Sequence, residues 1–334
     1  MPGCSTGVLA TGSYLPKSTM GNEVLERSLG LSPGWIEDRT GILERRVADS
    51  SEATSDLATA AARRALDAAG VRPDAIGLII VATSTPDMPL PATACQVQAN
   101  LGASNAVAMD IDAVCTGFVY ALDVAHKMML CEPAFDYALV IGADTYSRIL
   151  DYRDRRTAVL FGDGAGAVVL GRSETAASIE YSRLGSDGTK VDYVQIPAGG
   201  SRDPLSADTL ASGDHFFKMD GRSVREFVEE RLPQMIDGVM RACAMNVSEV
   251  DLFVPHQANG RILVDVAKEV GFLPDQVALT VDHYGNTGAA SIPVTLDHAV
   301  HEGRVLPGDR VLLAGFGGGM TWGTTLLTWG GGRS

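Results

Sequence analysis

The stretch Val107–Cys131, VAMDIDAVCTGFVYALDVAHKMMLC, decides how the rest of the chain folds. It opens with β-branched and apolar residues and turns at Ala113-Val114-Cys115. It then runs on with apolar side chains at Phe118, Val119, Ala121, Leu122, Val124, Ala125, Met128 and Met129. Such a run, hydrophobic nearly all round, reads as a helix for the middle of a protein, fed by a buried strand. Cys115 sits at the junction, where a helix dipole and free backbone N–H groups favour thiolate and make a nucleophile. A lone cysteine is more ordinarily a small core residue; the rest of the chain weighs against that reading here.

Outward from this stretch, short apolar runs alternate with helical patterns. Ser51 to Gly70 is an alanine-rich helix with Ser/Thr/Asp start signals and a closing glycine. Ala75 to Thr83 (AIGLIIVAT) is a strand buried on both faces, and residues 84–96 hold three prolines in a loop before the next helix. Tyr137 to Ala143 is another buried strand, and the charged residues 144–157 read as a surface excursion. Val159 to Leu170 (VLFGDGAGAVVL) reads as strand, glycine turn, strand, and residues 196–215 as a flexible surface loop. This alternation implies a layered α/β fold.

The second half repeats the first. EVDLFVPH from Glu249 matches AIGLIIVA from Ala75, VALTVDHYGNTG from Val277 matches VAMDIDAVCTGF from Val107, and RVLLAGF from Arg310 matches YALVIGA from Tyr137. The offsets are 174, 170 and 173 residues (249 − 75, 277 − 107, 310 − 137). A period this long is not a solenoid. It predicts two similar α/β halves, 1–172 and 173–334, packed as a pseudo-dimer with buried central helices. On this register Cys115 and Gly285-Asn286 occupy equivalent turns, each followed by small residues that let two helices approach. His256 ends a buried strand directly after Pro255. Three polar groups at strand ends then share an address, where α/β enzymes place their sites.

Composition bounds the function. At 334 residues with 46% hydrophobic and 20% charged content, the chain carries a net charge of −14. An acidic chain argues against nucleic-acid binding. Five scattered cysteines (Cys4, Cys95, Cys115, Cys131, Cys243) without a CxxC pair exclude a disulfide framework and fit reduced thiols in the cytoplasm. The N-terminal residues lack a charged leader with an apolar core, and no unbroken apolar run reaches the length of a membrane span. Metal ligation has no support. GDGAG and GFGGG lack the Lys-Ser/Thr and distal acid of nucleotide loops.

The motifs AVCTGFVYAL, VPHQAN, HYGNTGAASIP and GFGGGMTWG, with RTGILERR and LFGDGAGAVVL, resemble the ketoacyl synthase III branch of the thiolase-fold condensing enzymes. The resemblance spans nearly the whole chain and implies a thiolase-like αβαβα fold. It implies a cytoplasmic homodimer needing no cofactor, with acyl-CoA as a substrate. Cys115 would take an acyl group as a thioester, and malonyl-acyl carrier protein would then lose CO₂ and condense with it. His256 and Asn286 would hold the enolate oxygen, and the N–H groups of Cys115 and Gly318 the thioester oxyanion. For CoA it implies Trp35 and Arg155 around the adenine, Arg39 at the phosphates and Asn259 at the pantetheine arm. Leu90, donated by the dimer partner, and Phe316 would wall the acyl pocket; leucine at this position suggests a branched or longer acyl group.

Arg261 and Lys268 would dock the carrier protein, although Glu269 stands where some members carry a second base. An acyltransferase that forms no carbon–carbon bond, and a silent partner of a biosynthetic complex, are the rival readings. The other histidines (His126, His215, His283, His298, His301) and Cys95 read as structural.

Overall fold

The computed structural model describes residues 6–172 and 176–330, so Cys4 lies outside the described residues. The N-terminal part runs β1 (Thr6–Tyr14), α1 (Thr54–Ala69), β2 (Ile76–Ala82), α2 (Thr93–Leu101), β3 (Val107–Ile111), α3 (Gly117–Cys131), β4 (Tyr137–Thr145) and β5 (Asp163–Arg172). The C-terminal part runs β6 (Ala177–Gly185), α4 (Gly221–Cys243), β7 (Leu252–Pro255), α5 (Gly260–Val270), α6 (Ser291–His301), β8 (Arg310–Gly317) and β9 (Thr321–Thr328).

These nine strands form one hydrogen-bonded sheet in the order β7-β8-β9-β6-β1-β5-β4-β2-β3. β2 lies parallel between β3 and β4, β4 pairs antiparallel with β5, and β5 with β1. The other end follows the same plan: β7 is parallel to β8, β8 antiparallel to β9, and β9 antiparallel to β6. Among the described residues, Gly7↔Ser178 and Val8↔Ala177 join the two ends.

Helices α3 and α6 touch both ends of the sheet. The first packs on β2 and β4 and also on β8 and β9; the second packs on β4 and β5 and also on β7 and β8. With α1 and α2 covering one outer face, and α4 with α5 beside it on the other, the layers read αβαβα. Phe118, Val119, Leu122 and Met129 of α3 are fully buried. Each stabilises the fold by roughly 1.5–3 kcal/mol relative to an exposed side chain. With its entry turn this helix reaches a mean hydropathy of 1.2 over 18 residues, enough by composition to cross a membrane, yet it fills the interior between two strand layers.

Several expectations are corrected. β3 is half-exposed rather than buried, because it forms the edge of the sheet. The strand that begins at Tyr137 runs two residues past Ala143, so Asp144 and Tyr146 are fully buried and residues 144–157 do not begin as a surface excursion. GDGAG forms no turn: residues 163–166 lie within β5. Gly166 is there because α6 crosses so closely that a Cβ would meet Val294 N at 2.6 Å. The loop 196–215 contains a short helix, Ala207–Ser212, capped by Ser206. The register of the repeat also shifts at the second turn. A one-turn helix, Val281–Tyr284, lengthens that connection, so the 3₁₀ turn matching Val114–Thr116 is Gly288–Ala290. Ala289 therefore falls where Cys115 does, and Asn286 precedes that turn.

Candidate active site

A cavity of about 910 Å³ opens between the two strand layers, and Cys115, His256, Asn286, Phe316 and Gly318 all line it. The sequence expectation that three strand-end groups share one address is met in space.

Cys115 sits in the 3₁₀ turn Val114–Thr116 that leads into α3. Val114 has φ +49°, a left-handed conformation costly for a β-branched residue, so the turn is held by its surroundings. Thr321 Oγ1 lies 3.0 Å from Ala113 O and 3.1 Å from Gly318 O, tying the turn to the glycine run after β8. That run backs directly onto Cys115: a Cβ on Gly317 would stand 2.8 Å from Cys115 N. The thiol is not simply made acidic by its helix. Burial and the nearby Asp144 carboxylate push it up to about 12, opposed by a hydrogen bond from Tyr146.

His256 is almost fully buried and stays neutral, since burial lowers its pKa to about 3. Its Nδ1 lies 2.7 Å from Ser291 Oγ, whose oxygen also accepts from Gln257 N at 3.4 Å. With Ser291 donating its proton to Nδ1, the ring proton sits on Nε2 and that nitrogen is a donor. Asn286 is fixed by its backbone, donating to Leu160 O at 2.8 Å and accepting from Gly162 N at 3.0 Å. Its Oδ1 accepts from Gly288 N at 2.9 Å, so Nδ2 remains available as a donor. Two neutral donors and one thiol thus meet in a site largely screened from water.

The outer cavity gathers Trp35, Arg39, Arg155 and Asn259. The Arg39 and Arg155 guanidinium carbons lie 4.6 and 5.9 Å from the Trp35 ring centre. Arg153 and Arg156 instead pair with Asp151 and Asp154, which separates Arg155 from its neighbours. Asn259 has a structural task besides: its Oδ1 caps α5 at Arg261 N and Ile262 N, and its Nδ2 donates to Arg39 O. Arg261 and Lys268 are exposed on α5, beside exposed Val264, Asp265 and Glu269. Leu90 does not line the cavity; it stands 80% exposed. Phe316 packs edge-on against His256, with ring centres 5.0 Å apart.

Four residues that the sequence reading left out belong to the site. Ser291 sets the His256 tautomer. Tyr146, Phe161 and Phe217 form a three-ring wall, with centroids 4.5, 5.0 and 5.5 Å apart, and the Tyr146 hydroxyl lies 4.0 Å from the Cys115 sulfur. The available signal for Tyr146 was its place at the end of an apolar strand, which the charges that follow it obscured.

Comparison with known proteins agrees with this architecture. Residues 109–188 match the family model for 3-oxoacyl-[acyl-carrier-protein (ACP)] synthase III, and residues 240–329 match its C-terminal model. The chain is 46% identical to a beta-ketoacyl-[acyl-carrier-protein] synthase III of Caldanaerobacter subterraneus subsp. tengcongensis, over 97% of this chain and 98% of that one. It is 48% identical to the acetoacetyl CoA synthase NphT7 of a Streptomyces species, over 96% and 98%. The crystal structure of 3-oxoacyl-[acyl-carrier-protein] synthase III from Aquifex aeolicus superposes with a TM-score of 0.88 at 40% identity, covering 97% of this chain and 100% of that one. The chain belongs to the 3-oxoacyl-[acyl-carrier-protein] synthase III family of thiolase-fold condensing enzymes, and it is a ketoacyl synthase of the acyltransferase class.

Proposed function

We propose that Cys115 is acylated by an acyl-CoA starter and that the acyl group then undergoes decarboxylative condensation with a malonyl thioester, priming fatty-acid or polyketide synthesis. In the first step the sulfur attacks the thioester carbonyl and the CoA thiolate leaves. The backbone N–H groups of Cys115 and Gly318 stabilise the oxyanion. In the second, the malonyl group loses CO₂, and His256 Nε2–H with Asn286 Nδ2–H hold the enolate oxygen. The enolate carbon attacks the acyl carbonyl, and the Cys115 thiolate is expelled. The observation that carries this reading is the donor pair: Ser291 and Gly288 occupy the acceptor atoms of His256 and Asn286. A transferase to oxygen or nitrogen would need a general base instead, and a histidine held neutral as a donor is poorly suited to that.

Catalysis is divided between the halves 1–172 and 173–334, with Cys115 from the first and His256 and Asn286 from the second. Trp35, Arg39, Arg155 and Asn259 bind the CoA nucleotide and pantetheine. The wall of Tyr146, Phe161 and Phe217 beside the sulfur favours a short starter over the longer chain suggested by Leu90. Exposed Leu90 and the half-exposed edge strand β3 suit a homodimer that pairs at this edge. Unpaired Cys95, Cys131 and Cys243 suit a reducing cytoplasm.

The carrier of the malonyl group has two readings. Arg261 and Lys268 would dock an acyl carrier protein. The mixed charges on that face, and the similarity to an acetoacetyl CoA synthase, favour malonyl-CoA as a second extender. Intact-protein mass after mixing with acetyl-CoA should show an acyl adduct on Cys115. Adding malonyl-CoA or malonyl-carrier protein should then release CO₂ and a 3-oxoacyl product. An adduct that moves to an oxygen or nitrogen acceptor without CO₂ release would sink the proposal.

A further inference from the structure

The Tyr146 side chain is completely buried, and its hydroxyl has two polar neighbours. It lies 4.0 Å from Cys115 Sγ, the outer reach of an O–H···S contact, and 3.0 Å from Ser84 Oγ. Ser84 is in turn fixed by Asp144, whose Oδ1 accepts from the Ser84 backbone N–H at 2.9 Å. That carboxylate oxygen is already served by the hydroxyls of Thr85 at 2.8 Å and Thr83 at 3.1 Å, while the Ser84 hydroxyl is the most distant at 3.3 Å. The Ser84 hydroxyl thus has a long 3.3 Å contact to an oxygen already served by two closer hydroxyls and a shorter 3.0 Å contact to the Tyr146 oxygen, which favours its proton pointing toward Tyr146. With Ser84 donating to the phenol oxygen, the phenol proton has one remaining polar neighbour among these contacts, the Cys115 sulfur.

We propose that Tyr146 is a further catalytic residue: its hydroxyl, oriented by Ser84, donates a hydrogen bond to the Cys115 thiolate both when the sulfur attacks the starter and when it is expelled in condensation. Tyr146 keeps its own proton throughout, since burial raises it well above the usual phenol range. No proton passes through it. A hydrogen bond to an ionised partner is shorter and roughly twice as strong as a neutral one, so the contact tightens only in the reactive form. Tyr146 thereby opposes the groups that hinder ionisation. These are burial, Asp144 at the end of β4 and Asp112 before the nucleophile turn; His256, facing from the end of β7, is neutral.

The inference uses the reading of Cys115 as nucleophile but is tested separately from it. The rate at which iodoacetamide alkylates Cys115, followed by peptide mass across pH, needs no CoA and no condensation. Tyr146→Phe keeps the ring and its stacking on Phe161 while removing the donor. The expected result is a profile displaced by about one pH unit upward and an acylation rate constant about tenfold lower, the effect of losing one hydrogen bond to a charged group. The KM for acetyl-CoA should be unchanged. Ser84→Ala, which leaves Tyr146 in place but unoriented, should move the profile in the same direction by less. A Tyr146→Phe protein that is folded by circular dichroism and has the wild-type profile, or one displaced to lower pH, overturns the proposal and leaves Tyr146 a pocket wall. If wild-type Cys115 is alkylated but never acylated by acyl-CoA, the proposed function fails while the alkylation comparison still decides the role of Tyr146.

Discussion

The turn carrying Cys115 and the turn carrying Asn286 are built alike and present different groups to one cavity. Each follows an extended segment lying parallel beside β2 or β7, closes through a 3₁₀ turn, and launches a buried helix, α3 or α6. In the first, the polar group sits within the 3₁₀ turn and presents a thiol. In the second, the equivalent position is Ala289, and the polar group was displaced upstream by the added helical turn Val281–Tyr284. Asn286 then faces the cavity as a donor, while Ala289 N–H is taken by Asp144 Oδ2 at 2.8 Å. The difference teaches that one architecture can supply both chemistries, because what a helix N-terminus presents depends on which residue the preceding connection places there.

The sharpest break of the comparison is Cys115→Ala, which should abolish the acyl adduct seen by intact mass altogether. Next in size, Asn286→Ala should lower the condensation rate by about 10²–10³, the loss of one oxyanion donor. Its acylation rate, read by mass in a rapid-quench series, should stay within a few-fold of wild type. Comparable losses in both steps would mean that the turns are not separable. Ser291→Ala should cost about tenfold in condensation by freeing His256 to adopt the wrong tautomer, again sparing acylation.

The smallest expected effect concerns pH. Burial raises Asp144 to about 6, so above that pH it is ionised and its charge holds Cys115 up; below it the carboxyl is protonated and that influence ends. Asp144→Asn should therefore move the Cys115 alkylation profile to lower pH, with the variant and wild-type rates converging below about pH 6. Asn also turns an acceptor into a donor beside Ala289 N–H or the threonine hydroxyls, so a stability loss of about 1–3 kcal/mol is expected in urea melts.

The strands and central helices were legible because buried parallel strands leave continuous apolar runs and because the pattern occurs twice. Cys115, His256 and Asn286 were legible through their motifs. The orientation of their polar atoms was not. Ser291 reads in sequence as one more small residue at a helix start, and only the 2.7 Å contact with His256 gives it a role. Tyr146 was hidden because a charge-rich segment begins at Arg148 and runs on through Arg156, although Asp144 and Tyr146 are both buried. The edge position of β3 depends on strand order, which no local pattern carries. The repeat itself misled at one point: with Phe253 matched to Ile79, Phe253↔Val277 pairs where Ile79↔Ala108 does, one residue off the alignment of Val277 with Val107, and the insertion at 281–284 shifts the register further before the turn.

The proposed division places acylation on the Cys115 side and decarboxylation on the His256 and Asn286 side. CO₂ release from a malonyl thioester by folded Cys115→Ala protein tests it most directly. Measurable decarboxylation is expected, and it should be lost again when Asn286→Ala is added. Absence of CO₂ release from the folded single variant would contradict it.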